Sequence, residues 1–501
     1  MVDGVPVAIP LRQRAIHGLR WNGASSAVLI GLQCAQLLVL SHCLPPADFG
    51  LMTMCLVVMA IADSFTGAGA GLLLIHREEI DRELLSTSAA VNLAVGLAVA
   101  LVVIIGAPWI AGRFAEPRLV PLVRMLACSI FVASFGVNSE MLLRRNLDFR
   151  GLAHAQVIAS AGSTAVAISM ALSGIGVLSL VTAFVVRNVM VTALLTWQAR
   201  KLGAMHLGVS RSSLRTIMAF GCPQMAERLL NIAADRMDFA LIGAMMGAEQ
   251  LGYYAFASNL ISIPQTRLNS VVTAVALPVF ARLQHDKSAI GSAYCKILRG
   301  LTTINAPILI GVIPLASLAI PLVFGTRWIS AVPLVQILAL VGLGRAIGNP
   351  VGSLVIATGA VRLSLAWNVL VIALTWIATF AGARLTDSTK GVAIGLIVLQ
   401  FALVPATYWL LVRRMSMAQW GTYADAIGRP AAAAAAAAGI AWLVTVLPIS
   451  GVALLATQLG VLIGSYVSIV RVLDPKIAID TIAIIRGKWD PNEQRQSNGS
   501  Y

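Results

Sequence analysis

Apolar stretches of about twenty residues follow one another along nearly the whole chain, and that pattern decides what kind of molecule it can be. About twenty residues are what an α-helix needs to cross a bilayer core of ~30 Å. In hydrocarbon the backbone must satisfy its own polar groups, which a helix does within one segment. Fourteen such stretches are legible: 22–44, 49–75, 84–110, 119–141, 151–172, 177–198, 214–246, 251–277, 297–322, 332–356, 363–383, 391–412, 430–448 and 449–470. The sequence therefore predicts an all-α polytopic membrane protein. Only 11% of residues are charged, against ~25% in soluble proteins. A net charge of +15 would suit nucleic acid. Here the Lys and Arg residues sit in the connections between spans, where they set orientation. Membrane lipids, and no nucleic acid, are the surroundings this charge predicts.

Of the 36 Lys and Arg residues, 25 fall in connections, or within three residues of a span's end, on the side of the N-terminus, five on the opposite side, and six deeper inside spans. This bias predicts that both termini are cytoplasmic. The start, Met1–Trp21, has no cleavage site after a short apolar region and reads as a basic lead-in to the first span. A faint internal repeat appears as well. Val120-Pro121-Leu122-Val123-Arg124 matches Val332-Pro333-Leu334-Val335-Gln336, and Leu44–Leu51 echoes Met246–Tyr253. Both matches place a span over the span six further on. An even repeat unit makes the two halves parallel, related by an axis along the membrane normal. The expected organisation is a six-helix lobe at 1–198, a cytoplasmic linker at 199–213 and a second six-helix lobe at 214–412. Two extra helices at 413–470 and a cytoplasmic tail at 471–501 complete it, the tail amphipathic at first and polar from 490 onward. Eight alanines, Ala431–Ala438, give the thirteenth span a smooth surface for close packing.

The stretch Phe220–Leu283 is two spans and a turn, yet it holds Glu227, Arg228, Asp235, Arg236, Asp238 and Arg267. A charge at the centre of a membrane helix costs ~2.5–3.5 kcal/mol on insertion scales, so such residues face a bundle interior or a wet cavity. The stretch predicts a hydrated path. Glu227 and Asp238, eleven apart, share a helix face, as do Arg228 and Asp235. Asp238, Asp235, Glu227 and Asp63 are the candidates for coupling H+ or Na+ to transport. Asp63 is expected mid-span, ahead of Gly67, Gly69 and Gly71. Against that stands the plainer reading of carboxylates satisfied by a neighbouring hydroxyl or arginine. Arg124, Arg187, Arg267 and Arg345 are lone arginines in apolar spans. Lining one cavity, they would suit a phosphate-bearing substrate, since guanidinium binds phosphate bidentately. Alternatively each reaches an interface or pairs with a carboxylate, Arg124 above all. Pro223, Pro264 and Pro278 are able to bend the two helices.

Enzyme chemistry finds little purchase. The six cysteines lie in apolar stretches with no CxxC and no His at metal spacing. The six histidines form no cluster, and no nucleophile elbow or Walker loop is present. We expect no catalytic residues, metal or cofactor. A membrane glycan polymerase would need a sizeable outer loop, and every outer connection is short.

Four stretches carry a family resemblance: LPPADFGLMTM (44–54), LLRRNLDFRGLA (142–153), RMDFALIGAMMGAEQLGYYAFASNLISIP (236–264) and ALPVFARLQHD (276–286). Across most of 20–415 the chain resembles the Wzx-type polysaccharide repeat-unit flippases of the multidrug/oligosaccharidyl-lipid/polysaccharide exporter superfamily. The resemblance implies two six-helix lobes around a central cavity and an alternating-access cycle. It implies a substrate of undecaprenyl-pyrophosphate-linked oligosaccharide, carried from the cytoplasmic to the periplasmic face of the bacterial inner membrane for exopolysaccharide or lipopolysaccharide assembly. It further implies a cationic cavity, mapped onto Arg187, Arg267 and Arg345, ion coupling at Asp63 and Asp238, and polysaccharide polymerase or export machinery as partners. Ala244 departs from the pattern, standing where many relatives carry Arg or Lys. A drug or cation exporter of the same superfamily, the lipid II flippase branch and a membrane enzyme of glycan assembly are the competing readings.

Overall fold

The computed structural model describes residues 11–67, 81–200 and 208–473. The expected spans appear as helices: α1 (Leu11–Cys43), α2 (Pro46–Phe65), α3 (Arg82–Arg113), α4 (Leu119–Arg145), α5 (Phe149–Leu172), α6 (Leu178–Ala199), α7 (211–246), α8 (248–282), α9 (Lys287–Phe324), α10 (Val332–Gly348), α11 (Val361–Thr386), α12 (Thr389–Thr407), α13 (Trp420–Leu443) and α14 (Gly451–Leu473). Past Pro350, α10 continues as Pro350–Thr358, and a π turn, Tyr408–Val412, carries α12 on to Ser416. Among the described residues, twelve helices are long and apolar enough to cross a membrane. The other two are α7 and α8.

Two boundaries differ from expectation for identifiable reasons. First, α2 stops at Phe65, with Thr66 extended and Gly67 at φ 76°. A left-handed glycine ends a helix at no steric cost, so Asp63 lies in the last turn, not mid-span. Second, α7 runs into α8 as one helical stretch, 211–282, interrupted only at Gly247 (φ 83°, ψ 179°). The backbone stays helical through Pro223, Pro264 and Pro278, and the break falls on the glycine. The linker positions 201–207 and the tail from 474 lie outside the described residues.

The chain forms two compact units, Met1–Gly252 and Tyr253–Tyr501. In the first, α3 packs on α4, α4 on α6, α5 on α6, and α1 on α5. In the second, α9 packs on α10, α10 on α12, and α11 on α12. The three pairings α3·α4, α4·α6 and α5·α6 thus recur six helices later. One contact recurs with them. Arg124 of α4 donates through Nε to the carbonyl of Ile104 on α3 at 3.4 Å. Its repeat counterpart, Gln336 of α10, donates through Nε2 to the carbonyl of Ile313 on α9 at 2.9 Å.

Small polar residues hold the first unit together. Asn138 Oδ1 accepts from Ser88 Oγ at 3.0 Å and from Asn92 Nδ2 at 2.9 Å, while Asn138 Nδ2 donates to the Leu85 carbonyl at 3.3 Å. All three side chains are buried. Gly96, one turn beyond Asn92, lies so close to Ser134 that a Cβ there would come within 2.6 Å of the serine Cβ. The spacing of four in Ser88, Asn92 and Gly96 puts the small face of α3 against α4, as membrane helices that approach closely require. Asn138→Ala leaves two buried polar groups short of a partner. It is expected to cost ~1–3 kcal/mol, read as a lower melting temperature of the detergent-solubilised protein. Asn138→Ala melting with the wild type would show the network to be dispensable.

In the second unit the last two helices dock on α9. α13 and α14 both pack on it and on each other. The buried Tyr294 ring of α9 stacks on Phe280 and on Tyr423 of α13 (6.1 and 6.4 Å between centroids), and Tyr466 of α14 donates to the Thr303 carbonyl at 2.7 Å. The alanine run buries Ala433, Ala434, Ala437 and Ala438, one helical face.

Candidate functional site

Asp63 lies where a cation of the first unit acts on it. It is half-buried in the last turn of α2, and the Arg228 guanidinium of α7 lies within electrostatic reach of its carboxylate. The fold thereby brings together two charges that are 165 positions apart in sequence. On the rest of α7, Glu227, Asp235 and Arg236 are exposed. The Arg236 guanidinium sits 5.6 Å from the centroid of the Phe239 ring. Asp238 is buried, and its Oδ1 accepts from the Phe239 backbone N–H at 2.9 Å. Glu227 and Asp238 share a face by spacing, yet one is open and the other packed.

The arginines separate. Arg187 on α6 is exposed, and Arg124 is exposed and held by the Ile104 carbonyl. Arg345, near the C-terminal end of α10, lines a cavity of about 180 Å³ with Trp367, Gln400, Thr407 and Tyr423. The Arg267 side chain lies outside the described residues. At the turn from α3 to α4, Arg118 pairs with Glu116 at 2.7 Å. That hydrogen bond holds the Glu116 carboxyl below the usual carboxylate range. Arg118 also acts electrostatically on Asp48, a buried residue in the first turn of α2.

A second feature went unread in the sequence. Gly50 of α2 and Gly252 of α8 occupy equivalent places in the repeat. A Cβ on Gly50 would fall 1.7 Å from the Ala248 carbonyl oxygen, and one on Gly252 would fall 1.9 Å from that of Pro46. Ala248 is the repeat counterpart of Pro46, so the contact is reciprocal. The signal was in view, since the echo between 44–51 and 246–253 aligns glycine on glycine. Among the described residues, no group of three or more His, Cys, Asp or Glu side chains is placed to hold a metal ion.

Comparison with known proteins fixes the family. The profile of the family described as "Polysaccharide biosynthesis protein" matches residues 39–333, more than half of the chain. The chain belongs to the polysaccharide biosynthesis protein family. It is 28% identical to the lipopolysaccharide biosynthesis protein WzxC of Escherichia coli (strain K12) over 80% of this chain and 82% of that protein. It is 28% identical to the teichuronic acid biosynthesis protein TuaB of Bacillus subtilis (strain 168), over 75% and 77%. Among solved structures, lipid II flippase MurJ in an inward closed conformation aligns with a TM-score of 0.75 at 11% identity, covering 92% of this chain and all of that one. An inward-facing MATE family multidrug transporter of the MOP superfamily aligns at 0.57 with 16% identity, over 78% and 94%. This family member therefore has the exporter-superfamily fold that its hairpin motifs resemble, and it is a multi-pass membrane protein.

Proposed function

We propose that the protein is a flippase for lipid-linked oligosaccharide repeat units. It moves undecaprenyl-pyrophosphate-linked oligosaccharide from the cytoplasmic to the periplasmic face of the bacterial inner membrane, by ion-coupled alternating access. The observation that carries the reading is membership in a polysaccharide biosynthesis family on a fold whose solved example flips lipid II. Physical logic agrees with it. A pyrophosphate cannot cross ~30 Å of hydrocarbon unaided, whereas a polyprenyl tail can stay in lipid, so the protein need shelter only the head group. Asp63, on which the Arg228 charge acts, and the buried Asp238 are the carboxylates assigned to H+ or Na+ coupling. Arg187, Arg267 and Arg345 are the cations assigned to the phosphates. The two lobes, 1–198 and 214–412, are assigned the moving parts, with both termini in the cytoplasm.

The test is the sidedness of the lipid-linked oligosaccharide in cells lacking the gene. Complete repeat units are expected on the cytoplasmic face, with export restored by the wild type and not by Asp238→Ala at equal expression. Repeat units that reach the periplasmic face and stay unpolymerised would overturn the reading in favour of a polymerase. Unchanged lipid-linked glycan with altered resistance to cationic drugs would overturn it in favour of a drug exporter.

A further inference from the structure

In the second unit, α9, α10, α13 and α14 line an open cavity of about 490 Å³. Its lining includes Pro314, Ser317, Gln336, Ala438, Trp442 and Gln458. Gln458 is wholly buried, and among the described residues neither its Oε1 nor its Nε2 has a hydrogen-bond partner. A buried amide left without partners is rare and calls for an explanation. Gln458 lies seven residues past the start of α14, about 10 Å along the helix at 1.5 Å per residue. That is membrane depth, not the interface.

The other polar groups of the wall are nearly spoken for. Gln336 Nε2 donates to the Ile313 carbonyl and lies 3.3 Å from Ser317 Oγ, and Thr445 donates to the Trp442 carbonyl. Pro314 has no N–H to give the Ile310 carbonyl, which leaves one more acceptor on this wall. The alanine run leaves the space unfilled at Ala435, Ala438 and Gly439. No lining residue carries a charge, so a phosphate would be buried here without a counter-ion, at prohibitive cost.

We infer that this cavity binds an uncharged lipid with a hydroxyl head, whose O–H and oxygen pair with the Gln458 amide while its hydrocarbon fills the apolar remainder. Diacylglycerol and free polyprenol share this chemistry. The inference does not rest on the flippase reading, because neither lipid carries a pyrophosphate or a sugar. It also gives the last two helices a task, since α13 and α14 build about half of the wall.

The test uses the full chain in nanodiscs, with native mass spectrometry and thermal melting as readouts. The probes are diacylglycerol, free polyprenol, squalene as a hydrocarbon without a hydroxyl, and phosphatidylglycerol as a charged lipid. The wild type is expected to retain at least one hydroxyl lipid tenfold over squalene and phosphatidylglycerol and to melt higher with it. Which hydroxyl lipid is retained names the source. Gln458→Leu, similar in size and free of the buried amide, is expected to fold, to melt no lower than the lipid-free wild type and to lose that retention tenfold. Ser317→Ala is expected to weaken it less. Equal retention of squalene, or undiminished retention in Gln458→Leu, would overturn the proposal.

Discussion

Gly50→Ala is expected to unfold or expel the protein from the membrane, a large effect for the addition of one carbon. The new Cβ would stand 1.7 Å from the Ala248 carbonyl oxygen, a backbone atom with no rotamer in which to move aside. Overpacking costs ~1–3 kcal/mol where side chains give way, and here neither side can, so ~3 kcal/mol or more is expected. Gly252→Ala should match it, because it meets the Pro46 carbonyl at 1.9 Å. Gly106→Ala in α3 is the control. It meets nothing within 4 Å and should stabilise its helix by ~0.5–1 kcal/mol. Melting curves from fluorescence-detected gel filtration in detergent read all three. Gly50→Ala melting beside Gly106→Ala would show that α2 and α8 are not in contact in the membrane.

The second large effect concerns transport without loss of fold. Asp63→Ala and Arg228→Ala are each expected to lower export of lipid-linked oligosaccharide at least tenfold at wild-type protein levels. The Arg228 charge acts on Asp63, and if the two serve one step the double variant should be little worse than Asp63→Ala alone. Groups that act on one another show interaction energies of ~0.5–3 kcal/mol in such a cycle. Strictly additive losses would mean that the two residues act separately. Wild-type export in Asp63→Ala would remove Asp63 from the coupling site.

The fold was legible because each helix is written out at bilayer length, and even α7 could be read as a span with its charges in place. Gly247 and Gly67 mark real breaks, although the second moved Asp63 to a helix end. Pairing was less legible. The repeat aligned Arg124 with Gln336 but gave no hint that both would donate to a backbone carbonyl on the preceding helix. A cavity-lining arginine and a backbone-tied one look alike in sequence, since both are single cations in apolar runs. The Asn138 network and Gln458 were missed for a related reason. An isolated amide carries no net charge, and its meaning depends on what the neighbouring helix presents. Asp63 and Arg228 were each noticed, but only the fold places the Arg228 charge where it acts on Asp63.

The reciprocal contact at Gly50 and Gly252 has a mechanical side. Most helices grip each other by knobs that must be lifted from holes before anything turns, and close-packed interiors resist such movement. Here two helix starts meet carbonyl against bare α-carbon, with no side chain to disengage. A joint of that kind is set by backbone atoms alone. It holds the two helix ends at a separation no side-chain rotamer can change, because each glycine is the other's seat.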